Sequence, residues 1–149
     1  PSGKFEIFDK LIEEETDIIV LKSNIYHSQH KHISKIKSPE FKFPCVHSIS
    51  IRKGVELRYS SINKGIFGTP KIIWSDGAGN PILDLEGEYG TTEFAYAIVD
   101  DPKVLPFIKK AMESEKFVDL MKYCVFAQNH KYNWKVIKTF KKDFWKEFI

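Results

Sequence analysis

Cysteine is scarce in this chain, and so is every recognisable catalytic motif. The 149 residues include two cysteines, Cys45 and Cys124. Two do not make a disulfide framework, and a chain this rich in Lys, Ile and Phe does not need one. A reducing, cytoplasmic setting follows as the expectation. Both thiols sit among apolar or aromatic neighbours, in "FPCVH" and "KYCVF", and are expected to be buried and inert. No apolar run approaches the roughly 20 residues that span a bilayer, which argues against an integral membrane protein. No basic-apolar-small leader opens the chain. No methionine opens it either, so it reads as a fragment of a larger protein, with Pro1-Ser2-Gly3 as a remnant without structural weight.

The missing motifs narrow the function. "GIFGTPK" and "DGAGNP" contain glycines, but neither is a P-loop nor the strand–glycine–helix fingerprint of dinucleotide binding. Turn duty is the expectation for Gly77 and Gly79. A nucleophile elbow is absent, as is a Ser/His/Asp or Cys/His arrangement with readable context. By elimination the sequence argues for binding more than for catalysis.

What is present is enough apolar material for one domain of 149 residues. Hydrophobic residues make up 42% and aromatics 14%, which separates the chain from disordered sequences. The net charge of +3 hides a block pattern. Residues 1–20 carry −4, residues 21–74 carry +8, residues 75–101 carry −7 and no basic side chain, and residues 102–149 carry +6. Surfaces of one sign attract ligands of the other. A basic stretch interleaved with Tyr, His, Ser and Asn is the footprint expected for nucleic acid, and a solvated face without a partner is the bland reading.

"YHSQHKHISK", residues 26–35, places His27, His30 and His32 within six positions at the head of the +8 block. With Cys45 and His47 downstream, these are zinc ligands by type but not by spacing. Structural zinc sites show two close pairs with a fixed spacing, which these residues do not supply. The strip is instead expected to be a basic loop whose Lys31, Lys35 and imidazoles approach phosphate. Binding would then strengthen as pH falls toward about 6, where histidine gains charge. A second cluster, Asp76, Asp84 and Glu86, has the residue type for a divalent-ion nuclease. In sequence it has no lysine beside it, and Asp84 and Glu86 alternate with leucines as on the solvent face of a strand.

The element pattern is α+β. A short amphipathic piece precedes an apolar β-branched run at 18–21. "FKFPCVHSISI" reads as a strand with Pro44 suited to an edge or a strand start, and with "VELRYS" it makes a hairpin across "RKG". "SINKGIFGTP" is a loop, "KIIW" a strand and "SDGAGNP" a turn. "ILDLEGEYG" alternates, and "TTEFAYAIV" is a further strand. Asp101 and Pro102 form an N-cap and first-position pair for a helix carrying Val104, Leu105, Ile108, Ala111 and Met112. Ser114 restarts a second helix with Phe117, Leu120, Met121 and Cys124 on its apolar face. The tail suggests a strand and a short helix, with Trp134, Phe144 and Trp145 packing. The expectation is a mainly antiparallel sheet with a C-terminal helical pair, as one domain over residues 1–149 without linker or repeat.

The stretch from "KFPCVHSI" to "EFAYAIV" resembles the target-recognition region of TaqI-like adenine-specific DNA methyltransferases and combined restriction–methylation enzymes. The resemblance rests on a "G-x-PKII" strand, Gly68 to Ile73, a polar turn, Ser75 to Pro81, and a "DxEGxY" strand, Asp84 to Tyr89. A further strand and helical pair follow, and "FKKDFWKEF" looks like the end of such proteins. The likeness spans roughly residues 20 to 149. It implies a specificity domain that recognises double-stranded DNA beside a catalytic methyltransferase domain of the same parent chain. The "NPPY"-type motif and the glycine motif for the methyl donor are absent here. S-adenosylmethionine, with magnesium as a further candidate, would therefore belong to the parent enzyme, and no cofactor or metal is expected on this chain.

Under that reading phosphate contacts need Lys and Arg, and base contacts need paired donors or acceptors. The candidate DNA-binding residues are Lys31, Lys35, Arg52, Lys53, Arg58, Asn63, Lys64, Lys71, Thr91 and Thr92. Arg58 has the fork for guanine. Asn63, Thr91 and Thr92 suit base edges. Tyr26, Tyr59 and Tyr89 are expected to be partly packed. The rivals are the nuclease built on Asp76, Asp84 and Glu86, and a protein-interaction module with a basic face.

Overall fold

Alternating apolar residues build a central sheet whose inner strands are buried on both faces. The computed structural model describes residues 2–22, 27–124 and 131–149; Tyr26 lies outside them. Four strands pair antiparallel in the order β1 (Ile19–Lys22), β8 (Ala95–Val99), β5 (Lys71–Ser75), β6 (Ile82–Asp84). On β5 and β8, Ile72, Trp74, Tyr96 and Ile98 face one way, into the main core. Ile73, Ala95 and Ala97 face the other way, into a smaller core. This two-step period is the strand geometry the sequence encodes.

The main core is closed by helices. These are α1 (Ser2–Leu11), α2 (Leu105–Glu113), α3 (Glu115–Lys122), the short α4 (Trp134–Ile137) and a 3-10 turn at Phe144–Glu147. Leu105, Ile108, Ala111 and Met112 of α2 and Phe117, Leu120 and Met121 of α3 are all buried. Phe144 is buried, Trp134 stacks on Tyr96 at 5.7 Å, and Trp145 stacks on Phe107 at 5.4 Å. Ser114 caps α3 as expected, its hydroxyl accepting from Phe117 N at 3.2 Å. The start of α2 is displaced. Asp101 opens a turn, its carboxylate accepting from Lys103 N and its carbonyl from Val104 N, and the helix proper begins at Leu105 with Pro106 in its first turn. The strand expected in the tail reduces, among the described residues, to an isolated bridge between Ile12 and Phe140.

The small core is closed by a second sheet, in the order β2 (Ile33–Ser34), β4 (Gly54–Ser60), β3 (Phe43–Ser50), β7 (Gly90–Thr91). β3 and β4 form the expected hairpin, with a bulge between Val46 and Ser48. β7 runs parallel to β3 and pairs with Cys45 and Val46, so Pro44 has no ladder partner on the β7 side. Val46, Ile49 and Leu57 press onto Ile73, Ala95 and Ala97. The layers are therefore helices, central sheet and outer sheet.

Candidate nucleic-acid interface

The outer sheet and its loops carry most of the +8 block, all of its cations but Lys22 and Lys71, and the loops present them. Lys31, Lys35, Lys37, Lys42, Arg52, Lys53 and Lys64 are exposed. Among the described residues, no carboxylate stands within ion-pair distance of any of them. The two most exposed large apolar side chains among the described residues lie in the same setting. Ile36 sits between Lys35 and Lys37, and Ile51 precedes Arg52 and Lys53.

Two clusters organise this layer. In the first, Glu93 gathers the histidine strip. Its carboxylate accepts from Ser28 N at 3.1 Å and from Ser28 Oγ at 2.9 Å. His27 Nδ1 accepts from Gln29 N, so its Nε2–H donates to Glu93 at 2.9 Å. Burial pushes the Glu93 carboxyl up, but the two Ser28 bonds and His27 outweigh it and hold the group below its ordinary range. His30 then stacks on His27 at 5.7 Å and meets His32 edge-on at 5.0 Å. Among the described residues no three His, Cys, Asp or Glu side chains converge to hold a metal ion. Beside the strip, His47 bonds Thr92 Oγ1 at 2.8 Å and meets Phe94 edge-on. Burial holds its imidazole below the ordinary value, aided by Arg58 and Lys35 and opposed by Glu56 and Glu93.

The second cluster is a buried latch. Lys71 and Asp84 face each other across β5 and β6 and pair at 2.6 Å. Lys71 Nζ also donates to the carbonyls of Ile66 and Thr69. Asp84 also accepts from the amides of Glu88 and Tyr89. Burial pulls the Lys71 amine below its ordinary value, against the bond and charge of Asp84. Gly68 N donates to Gly87 O at 2.9 Å, and a side chain on Gly87 would overlap the Gly68 backbone. The latch thereby fixes the loop that carries Asn63 and Lys64.

These positions revise several expectations. Lys71, Thr91 and Thr92 are buried between the layers and present nothing to a duplex. Lys71 is spent on the latch, Thr91 is paired in β7, and Thr92 serves His47 and Val46. Asp84 is buried rather than on a solvent face, because Lys71 and the Glu88–Tyr89 turn close over the side of β6 that alternation alone leaves open. The lysine absent beside it in sequence arrives from the neighbouring strand. Arg58 is largely covered and committed to Glu56 at 3.5 Å and to the Leu57 carbonyl. Asp76 accepts from Tyr96 Oη at 2.7 Å while Glu86 is exposed, so the three nuclease carboxylates do not converge.

Of the remaining candidates, Lys31 and the Asn63–Lys64 loop flank one backbone contact between the two segments. Ser61 N donates to the His32 carbonyl at 2.9 Å. Lys35 reaches the His47 and Arg58 neighbourhood, and Arg52 and Lys53 occupy the hairpin tip. The organising role of Glu93 is invisible in the sequence, since no local signal links it to a strip 65 residues earlier. The exposed Ile36 and Ile51 are further residues that sequence reasoning missed, although each stands beside two cations in plain sequence. Comparison with protein-family models, with curated proteins and with solved structures gives no match for this chain.

Proposed function

We propose that this chain is a double-stranded DNA recognition domain, serving as the specificity part of a DNA adenine methyltransferase or restriction–modification enzyme. One observation carries the reading: the outer sheet gathers exposed cations that, among the described residues, have no carboxylate partner. Such a surface neutralises phosphates and releases counterions. The groups that would read bases are then Asn63 and the loop side chains around Lys31 and Lys35, on a scaffold fixed by the latch. The catalytic domain of the parent chain is the intramolecular partner, and it would hold S-adenosylmethionine, with magnesium as the further candidate for a parent that also cleaves. A cytoplasmic location belongs to the same reading. Among the described residues no helix is long and apolar enough to cross a membrane.

A salt titration of duplex binding tests the proposal. Binding at low salt should weaken steeply as salt rises. Neutralising Lys31, Lys35, Arg52 and Lys53 to glutamine should lower the log–log slope by about 0.9 per phosphate contact removed. No measurable affinity for any duplex at low salt would reject the reading in favour of a protein-interaction surface.

A further inference from the structure

The distal half of the β3–β4 hairpin stands beyond its sheet. β2 pairs only with Tyr59 and Ser60, and β7 only with Cys45 and Val46. Residues 48–56 therefore form a two-stranded ribbon without a third strand among the described residues. The ribbon is held at one place. Ile49 N donates to Ser75 Oγ at 2.8 Å, and Gly79 N donates to Ile49 O at 2.9 Å. Gly77 and Gly79 approach so closely that a Cβ on either would overlap Ile49. Past this clamp the chain turns through Ile51, Arg52, Lys53 and Gly54, the last at φ +71°. Ile51 is 81% exposed, and both cations beside it are exposed too.

We propose that Ile51 is an apolar wedge that enters the base stack of duplex DNA while Arg52 and Lys53 hold the flanking phosphates. The proposal rests on the DNA-recognition reading and adds the mode of engagement. Parting two base pairs requires an apolar side chain on a stiff support, with cations beside it to neutralise phosphates that the kink draws together. A two-stranded ribbon is narrow enough to enter a groove. The same tip is poorly suited to a lipid surface, where binding scales with apolar area. Only Val55 adds exposed apolar surface within the ribbon.

Permanganate oxidises unstacked thymines, so it reports insertion at whatever sequence the protein occupies. The full chain is bound at low salt to a pool of random-sequence duplexes, treated, and the bound fraction sequenced. Thymine reactivity in the bound pool should rise several-fold over free duplex. At protein concentrations that saturate the duplex, Ile51→Ala should abolish that rise while the salt slope, which counts phosphate contacts, is retained, and Ile51→Leu should keep the rise. Bound wild-type duplexes with no enhanced thymine, or enhancement that persists in Ile51→Ala, would overturn the wedge while leaving the DNA reading intact. Absence of any duplex binding would instead bring down the DNA reading and the wedge with it. Ile51-dependent binding to phosphatidylserine vesicles in that case would assign the tip to a membrane surface.

Discussion

A lysine amine has three N–H donors, and Lys71 places all three on fixed acceptors, the Ile66 and Thr69 carbonyls and Asp84. Removing one partner of a buried pair leaves the other charge uncompensated, at about 3–5 kcal/mol. Lys71→Met should therefore lower the unfolding free energy by about that amount in urea titration, a larger loss than any exposed lysine substitution would give. Protonation acts at the same scale. Glu93 is held below its ordinary value, so its contribution is complete above about pH 4.5 and is lost as pH falls through its lower folded value. His47 favours the neutral ring in the fold, so its contribution is complete above about pH 6.5 and declines as pH falls. Melting temperature should accordingly drop between about pH 7 and 5, and His47→Gln should flatten that part of the profile. The same preference limits any gain in DNA affinity from protonating His47. Sequence could name the pieces but not these pairings. Asp84 alternates with leucines like a surface residue, and only the partner strand shows what faces it.

At the scale of elements, local signals are legible where the determinant is local. Ser114 announces α3 by itself, because a cap acts over three residues. "VELRYS" announces β4 by its alternation. The "SDGAGNP" turn is readable as a turn, yet its glycines answer to Ile49, which lies 26 residues before Ser75. The need for glycine comes from that approach rather than from a left-handed backbone. Ser75→Ala should leave the buried Ile49 amide without its acceptor, at about 1–3 kcal/mol, and speed hydrogen exchange at that amide. Gly77→Ala should force the turn away from the hairpin and loosen its tip, visible as faster exchange through residues 48–56 with α2 and α3 unaffected.

At the scale of the whole molecule, α+β class and the helical pair follow from the change of period at residue 101, whereas the division into two sheets does not. "TTEFAYAIV" reads as one strand, but Thr91 joins the outer sheet and Ala95–Val99 the central one. Nothing in the alternation marks the transfer. The two cores also differ in size. Among the described residues eighteen buried hydrophobic side chains cluster between helices and central sheet, and five between the sheets. Stability should be distributed accordingly, with amides of β4 exchanging through a lower-energy opening than those of β5 and β8, as measured by native-state hydrogen exchange. A final consequence attaches to the sealed amine of Lys71. An acylating reagent meets the exposed lysines at once but reaches this one only when the layers part. Pulse labelling followed by mass spectrometry of the peptide around residue 71 would thus clock the lifting of the outer sheet without any engineered label in the protein.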